Sequence, residues 1–129
     1  MSTSDLDILY FSESILSSSA SEVVLRAAIS RGYYGAFHHA KSFARRHELP
    51  AAPTRYRGSH EKIIYRFLDF SDHTILPMLK KQKMLRVKAD YELEQSFSFE
   101  ESRLHVASCR KLAAALALIE MLGPDHRGR

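Results

Sequence analysis

The feature that most constrains the fold is a long proline-free segment, from about Ala20 to His47, whose apolar residues recur at helical spacing. Ser19 followed by Glu22 has the pattern of a capping box and predicts where this helix begins. Pro50 and Pro53 predict that the helix has ended before them. At 1.5 Å per residue it is roughly 40 Å long, which suits the central member of a small helical bundle. Its buried face is predicted to consist of Leu25, Ile29, Tyr33, Ala36, Phe37, Ala40 and Phe43.

The remainder of the chain has the pattern of helices rather than strands, since no segment alternates apolar and polar residues. The caps Ser4 and Thr74, and the capping box of Ser98 and Glu101, predict three further helix starts. Beside the long helix, the predicted helices run from about Asp5 to Leu16, Ser59 to Asp69, Thr74 to Tyr91 and Ser98 to Leu122. The sequence therefore predicts an all-α protein: an antiparallel bundle of four to five helices in a single domain, 1–129, with its core at about 5–122 and a polar tail at 123–129.

Length, charge and cysteine content narrow the class of protein. With 129 residues and 45% hydrophobic side chains, the chain can form a substantial core. No apolar run reaches the roughly 18 residues that a membrane span needs, and the polar start MSTSDLD is not that of a secretory signal. The single cysteine, Cys109, is predicted to be a buried structural thiol in a reducing, cytoplasmic environment. A net charge of +4 and a pI near 9.3 permit a nucleic-acid partner.

Arg31 and His38 lie seven residues apart within the long helix. Because seven residues are almost two turns, the two side chains are expected within about 20° of each other around the axis, with Cα atoms roughly 10 Å apart. Arginine binds phosphate and histidine transfers protons near neutral pH, so the pair suits chemistry at a phosphodiester. Around them the helix is predicted to present a basic stripe of Ala27, Tyr34, Gly35, Lys41, Ser42 and Arg45.

Two interpretations of this stripe stay open at the level of the sequence. Gly32 and Gly35 in mid-helix each cost about 0.5–1 kcal/mol relative to alanine, which indicates a place where another backbone or a ligand comes close. The alternative is a solvated helix face on which basic residues are scattered.

Four stretches of the chain resemble motifs of one helical family. The segment SRGYYGAFHHAK at 30–41 is similar to an R-x-YY-x-x-FH helix and contains an R-x(4–6)-H pair as Arg31 and His38. RGSHEK at 57–62 is similar to a Gly-x-His helix start, LRVKADY at 85–91 to a late R-x-x-ADY motif, and FEESR at 99–103 to an acidic cap. In this order and at these separations the motifs resemble those of HEPN domains, helical proteins of prokaryotic toxin and defence modules found beside nucleotidyltransferases.

The resemblance implies an antiparallel bundle that usually forms a homodimer. In catalytic members, the R-x(4–6)-H residues of two protomers meet in one cleft and cleave RNA without metal or cofactor, with the RNA's own 2′-hydroxyl as nucleophile. The resemblance thus implies a metal-independent endoribonuclease, the toxin or effector subunit of a toxin–antitoxin or phage-defence system, with Arg31 and His38 as catalytic residues. A nucleotidyltransferase-type antitoxin or partner is also implied.

A second function stays open under the same resemblance. Many active members have a polar residue directly after the arginine, where this chain has Gly32. Members that a partner nucleotidyltransferase modifies have a tyrosine at the position of Ala40. The alternative is a non-catalytic HEPN module that binds nucleotide or nucleic acid, or that docks on a nucleotidyltransferase.

Residues around the pair have predicted supporting roles. Lys41 and Arg45 are expected to track the RNA backbone without reading sequence. Tyr34 is expected to stack on a base or to lie at a dimer interface, whereas Tyr33 points to the core. His60 is interpreted as a helix-start residue that supports the site rather than as a catalytic residue.

The ADY stretch and the lysine-rich segment before it each have two interpretations. Asp90 follows Arg86 at i+4, which favours a local ion pair, although Asp90 can instead orient Arg31. The lysine-rich segment 80–88 is predicted to be a solvated helix surface, unless it continues the groove beside the basic stripe. His39 is predicted to be solvated. No histidine pair has the spacing and acidic neighbour of a metal site, so no metal is expected.

Overall fold

In the computed structural model, which describes residues 3–123, all regular structure is helical. The predicted all-α class and the predicted number of helices are therefore confirmed over this range. Residues 124–129, most of the predicted polar tail, lie outside the described residues. The five α-helices are α1, Asp5–Ser14; α2, Glu22–Arg46; α3, Ser59–Ile64; α4, Ile75–Tyr91; and α5, Phe99–Leu122, with one 3₁₀ turn, Tyr65–Phe67, after α3.

Two helices begin with capping boxes. The Ser98 hydroxyl accepts from the Glu101 N–H while the Glu101 carboxylate accepts from the Ser98 N–H, as predicted for the start of α5. At α1 the predicted cap Ser4 makes the same pair of hydrogen bonds with Asp7, although the sequence predicted only the cap and no capping box there. Each box satisfies backbone donors that a helix start otherwise leaves without partners.

The predicted capping box at Ser19 is wrong. The cap of α2 is Ser21, whose hydroxyl accepts from the Val24 N–H at 3.4 Å. Ser19 instead turns back and donates its N–H to the Ser17 hydroxyl. Glu22, the expected partner of Ser19, accepts from the Phe97 N–H at 2.9 Å. A long-range bond has thus replaced the local one that the spacing predicted.

The predictions for the third and fourth helices are confirmed only in part. The third helix, predicted to reach Asp69, is α-helical only to Ile64 and continues as the 3₁₀ turn, after which Leu68 is 38% exposed and Phe70 is buried. Thr74 is the N-cap residue of α4, as predicted, but its side chain makes no capping bond to the helix, because its N–H and hydroxyl both donate to the Asp72 carboxylate. Asp72 therefore organises the turn that leads into α4.

Helix α2 lies at the centre of the bundle and packs against α1, α4 and α5. Gly35 makes the approach of α1 possible, since a Cβ there would lie 2.6 Å from Leu9 Cγ and 3.1 Å from the Asp5 carbonyl oxygen. Gly32 faces α5 in the same way, with Val106 Cγ2 at 3.4 Å from a built Cβ. Both glycines are buried, so the prediction that Gly35 belongs to an open stripe is wrong: these glycines admit neighbouring helices, not a ligand.

The main core lies between these helices and includes Cys109, which is fully buried as predicted. Burial raises the pKa of the Cys109 thiol, so the side chain is an uncharged apolar filler. The largest fully buried side chains of this core are Phe43, Phe67, Leu9, Ile64, Ile75, Leu79, Leu112 and Leu116.

A buried arginine fixes α4 against α2. Arg26 donates to the carbonyl oxygens of Ala89 at 2.9 Å and Glu92 at 3.2 Å, groups at the carboxyl end of α4 that lack helical partners. Its guanidinium also pairs with Glu22 at 3.5 Å on its own helix. These bonds hold the last turn of α4, including Asp90, beside the middle of α2.

Candidate functional site

The outer face of α2 carries a row of three side chains, Arg31, Tyr34 and His38. The Arg31 guanidinium carbon lies 4.9 Å from the centre of the Tyr34 ring. The His38 imidazole is stacked with the same ring, with its centre 6.3 Å away. Arg31 and His38 are exposed and Tyr34 is half-buried, so the predicted pair lies on an open surface with an aromatic ring between its members.

Lys41 and Arg45 continue this face of α2 and are also exposed, as their place in the predicted stripe requires. His39, one residue from His38, does not belong to it. Its side chain is only 13% exposed and its Nδ1 bonds to the Asp5 carboxylate of α1. The prediction that His39 is solvated is wrong because α1 crosses α2 at Gly35 and covers that side of the helix.

Arg86 of α4 contacts Tyr34 and its neighbour Tyr33. Its guanidinium carbon lies 5.4 Å from the centre of the Tyr33 ring and 5.5 Å from that of Tyr34. The residue is 7% exposed, and its Nε has no hydrogen-bond partner among the described residues. The prediction of a solvated helix surface is wrong for Arg86, which is a buried cation whose charge is only partly balanced.

Asp90 is the carboxylate that balances Arg86. It lies 3.5 Å from an Arg86 nitrogen and accepts from the Ser30 hydroxyl at 3.3 Å. The predicted local ion pair is therefore present, and the alternative in which Asp90 orients Arg31 is not what the contacts show. Ser30, the residue directly before Arg31, links this pair to α2, a role that no sequence pattern indicated.

His60, the second residue of α3, packs on the tyrosine-rich part of α2. Its ring is stacked on Phe37, with centres 4.3 Å apart, and lies 6.1 Å from Tyr34. Its Nδ1 lies 2.6 Å from the hydroxyl oxygen of Tyr33, whose side chain is fully buried. Tyr33 therefore points to the core as predicted, and its hydroxyl fixes the orientation of His60, which no sequence pattern indicated.

Positive charge surrounds His60. Partial burial lowers its pKa below the ordinary value, and the charges of Arg86, Lys83, His38 and Lys41 lower it further, in that order. His60 is therefore neutral at neutral pH. Burial raises the pKa of Tyr33, which keeps its hydroxyl protonated and able to share the hydrogen bond. We call the set of Arg31, His38, Lys41, His60, Lys83 and Arg86 the basic cluster.

Lys83 connects the lysine-rich segment 80–88 to the basic cluster. The sequence had left open whether this segment continues the basic surface of α2. Together with Lys80 and Lys88 it lines a surface groove of about 340 Å³ between α3 and α4. Met84 and Val87 contribute apolar surface to the same groove. One part of the segment thus extends the basic surface from α2 towards α4.

The described residues form neither a metal-binding group nor a membrane-spanning helix. Within residues 3–123 no three His, Cys, Asp or Glu side chains are grouped so that they could hold a metal ion. None of the described helices is long and apolar enough to cross a membrane. Comparison with known proteins found no matching family, no matching curated protein and no matching solved structure.

Proposed function

We propose that this chain is a HEPN-type metal-independent endoribonuclease, the toxin or effector subunit of a prokaryotic toxin–antitoxin or phage-defence system, with Arg31 and His38 in a dimeric cleft. The observation that carries the proposal is the basic cluster. Arg31 and His38 are exposed on one face around Tyr34, and α3 and α4 add His60, Lys83 and Arg86 to that face. The resemblance of the motifs adds the family, the homodimer and the nucleotidyltransferase partner to the proposal.

The cluster has the groups that cleavage of RNA requires. Arg31, exposed beside Tyr34, is suited to bind the non-bridging oxygens of a phosphate, and the buried Arg86 adds positive charge near the same ring. Tyr34 offers a ring on which a base can stack, and Lys41 lies where the next phosphate would pass. A histidine then moves protons while the 2′-hydroxyl attacks phosphorus.

The second candidate is a HEPN module that binds nucleotide or nucleic acid, or docks on a nucleotidyltransferase, without cleavage. The observation that favours it is the ion pair between Arg86 and Asp90, which fixes one cation of the cluster in place. A fixed positive charge attracts an anionic ligand whether or not the site cleaves that ligand. Both candidates use the same surface, so they differ in cleavage and not in binding.

The deciding experiment is cleavage of a defined single-stranded RNA in EDTA by the wild type, Arg31→Ala and Arg103→Ala. Arg103 is the matched control, because it is an exposed arginine on α5 whose carboxylate partner is Glu100. We expect the wild type and Arg103→Ala to leave 2′,3′-cyclic phosphate ends, and Arg31→Ala to be slower by about 10²–10³-fold. Absence of cleavage by folded wild type, with retained RNA binding, would favour the second candidate.

A further inference from the structure

We propose that His60 is a second catalytic histidine, so that one protomer holds both the general base, His60, and the general acid, His38, of RNA cleavage. The inference rests on the proposed function and adds to it a residue from a different helix. It also changes the source of the second proton-transfer group, which the family resemblance places in the partner protomer.

Two aromatic rings of α2 bring the histidines together. Phe37 contacts both imidazoles, with ring centres at 4.3 Å for His60 and 5.6 Å for His38. Tyr34 lies at nearly equal distances from them, 6.1 Å and 6.3 Å. Both histidines therefore lie beside the same ring, and a phosphodiester bound at Tyr34 by Arg31 would lie close to both imidazoles.

The contact with Tyr33 orients His60 as a base requires. In the tautomer in which Nδ1–H donates to the Tyr33 hydroxyl oxygen, Nε2 carries the lone pair that accepts a proton. The same hydrogen bond persists after protonation, because Nδ1–H is present in the imidazolium as well. Tyr33 is fully buried, so the direction of the ring is set by a rigid partner.

The surrounding charges decide which histidine has which role. The groups that face His60 are Arg86 and Lys83 from α4, His38 and Lys41 from α2, and the hydroxyl of Tyr33. Four of these can carry positive charge, so they favour the neutral imidazole, which is the form that a base needs at neutral pH. His38, which is exposed on the same surface, is assigned the role of the general acid.

The reaction balances with these two residues. His60 Nε2 takes the proton of the 2′-hydroxyl as the O2′–P bond forms, and the P–O5′ bond breaks as His38 gives its proton to O5′. The products are a 2′,3′-cyclic phosphate and a 5′-hydroxyl. Exchange with water then removes the proton from His60 and returns one to His38.

A leaving-group substitution separates the two roles. RNA with sulfur in place of the bridging 5′ oxygen releases a thiolate, which leaves without being protonated. We expect His38→Ala to cleave oxygen-linked RNA about 10²–10⁴-fold more slowly than the wild type and to recover most of that loss on sulfur-linked RNA. His60→Ala and His60→Gln should lose about as much on the oxygen substrate and recover little on the sulfur substrate.

Three controls make the outcome decisive. His73→Ala, an exposed histidine in the loop before α4, should behave as the wild type on both substrates. Added imidazole should restore part of the activity of His60→Ala, which a purely structural role would not allow. Tyr33→Phe should lower the rate and shift the pH profile, since the ring remains while the orienting hydroxyl is lost.

The inference is overturned if folded His60 variants cleave within threefold of the wild type, or if sulfur restores them as it restores His38→Ala. In either case the wild type still cleaves, and the proposed function stands with a base from elsewhere. If the wild type cleaves neither substrate, the proposed function itself fails and His60 has no catalytic role.

Discussion

His38 and His39 are neighbours in the sequence, and they occupy opposite environments. His38 is exposed and stacked beside Tyr34 in the basic cluster, whereas His39 is covered by α1 and bonded to Asp5. A step of one residue rotates a side chain by about 100° around the helix, which here separates an open face from a packed one. Helix α2 therefore has two different faces: one packs against neighbouring helices, and the other exposes Arg31, His38 and Lys41.

A large loss of activity is expected from removing the buried cation that lies next to the open face. Arg86→Gln should reduce kcat/KM for RNA about 100-fold, because it removes a fixed charge beside Tyr34 and the main positive neighbour of His60. The same change should raise the pKa of His60, which an NMR titration of the imidazole would record. Arg103→Gln is the matched control, and equal activity of the two variants would remove Arg86 from the site.

On the packed side, His105 should make stability depend on pH. Its Nε2–H donates to the Ile29 carbonyl oxygen of α2, and burial lowers its pKa to about 4. The pKa of a histidine in the unfolded chain is near 6.5. Between about pH 4 and pH 6.5 the unfolded chain therefore binds a proton at His105 that the folded chain does not bind. The free energy of unfolding should therefore be highest above pH 6.5 and fall by up to about 3 kcal/mol as the pH drops towards 4.

Urea unfolding of the wild type and His105→Gln at pH 7 and pH 4.5 measures this contribution. Carboxylates titrate in both proteins, so only the difference between their pH dependences is assigned to His105. Parallel dependences would show that His105 does not remain neutral in the folded protein.

Gly32 and Gly35 of α2 are expected to differ in how much an alanine substitution changes the free energy of unfolding. Gly35→Ala should lower the free energy of unfolding by about 1–2 kcal/mol, because its Cβ would meet the buried Leu9 and the Asp5 carbonyl, which outweighs the helix propensity gained. Gly32→Ala, whose nearest neighbour would be 3.4 Å away, should change it by less than about 0.5 kcal/mol. Equal effects in urea unfolding would contradict the close crossing of α1.

The smallest effect is expected for RNA binding when Lys41, on the open face of α2, is replaced. Lys41→Ala should weaken binding of a 2′-O-methylated single-stranded RNA only a few-fold and reduce the slope of log K against log salt by about 0.7. Lys111→Ala, an exposed lysine on α5, is the control. A slope that does not change in Lys41→Ala would mean that the RNA does not pass this residue.

A helix start could be predicted from the sequence wherever the capping hydrogen bonds that the local spacing suggests are also present in the folded protein. Ser98 and Glu101 satisfy each other across one turn, so their spacing alone identified the start of α5. Ser19 and Glu22 have the same spacing, but Glu22 pairs with Arg26, one turn further along α2, and accepts from the Phe97 N–H, which is distant in sequence. Only the assembled bundle could reveal that competition.

The candidate site could be predicted only for residues of one helix. Arg31 and His38 share a face because of their spacing, which a sequence shows directly. Arg86 lies among lysines and pairs with Asp90 at i+4, a pattern typical of a solvated surface, and its burial arises from the tyrosines of α2. The bond between Tyr33 and His60 joins two helices and has no signal in the spacing of either.

The most direct test of the central claim, that the open face of α2 is the active one, is the comparison of His38→Ala with His39→Ala. Single-turnover cleavage of one RNA in EDTA and urea unfolding would be measured for both. We predict that His38→Ala loses at least about 100-fold in rate with unchanged stability, and that His39→Ala keeps its rate within about threefold while losing about 1 kcal/mol of stability. The reverse pattern, or equal rates in both variants, would contradict the account.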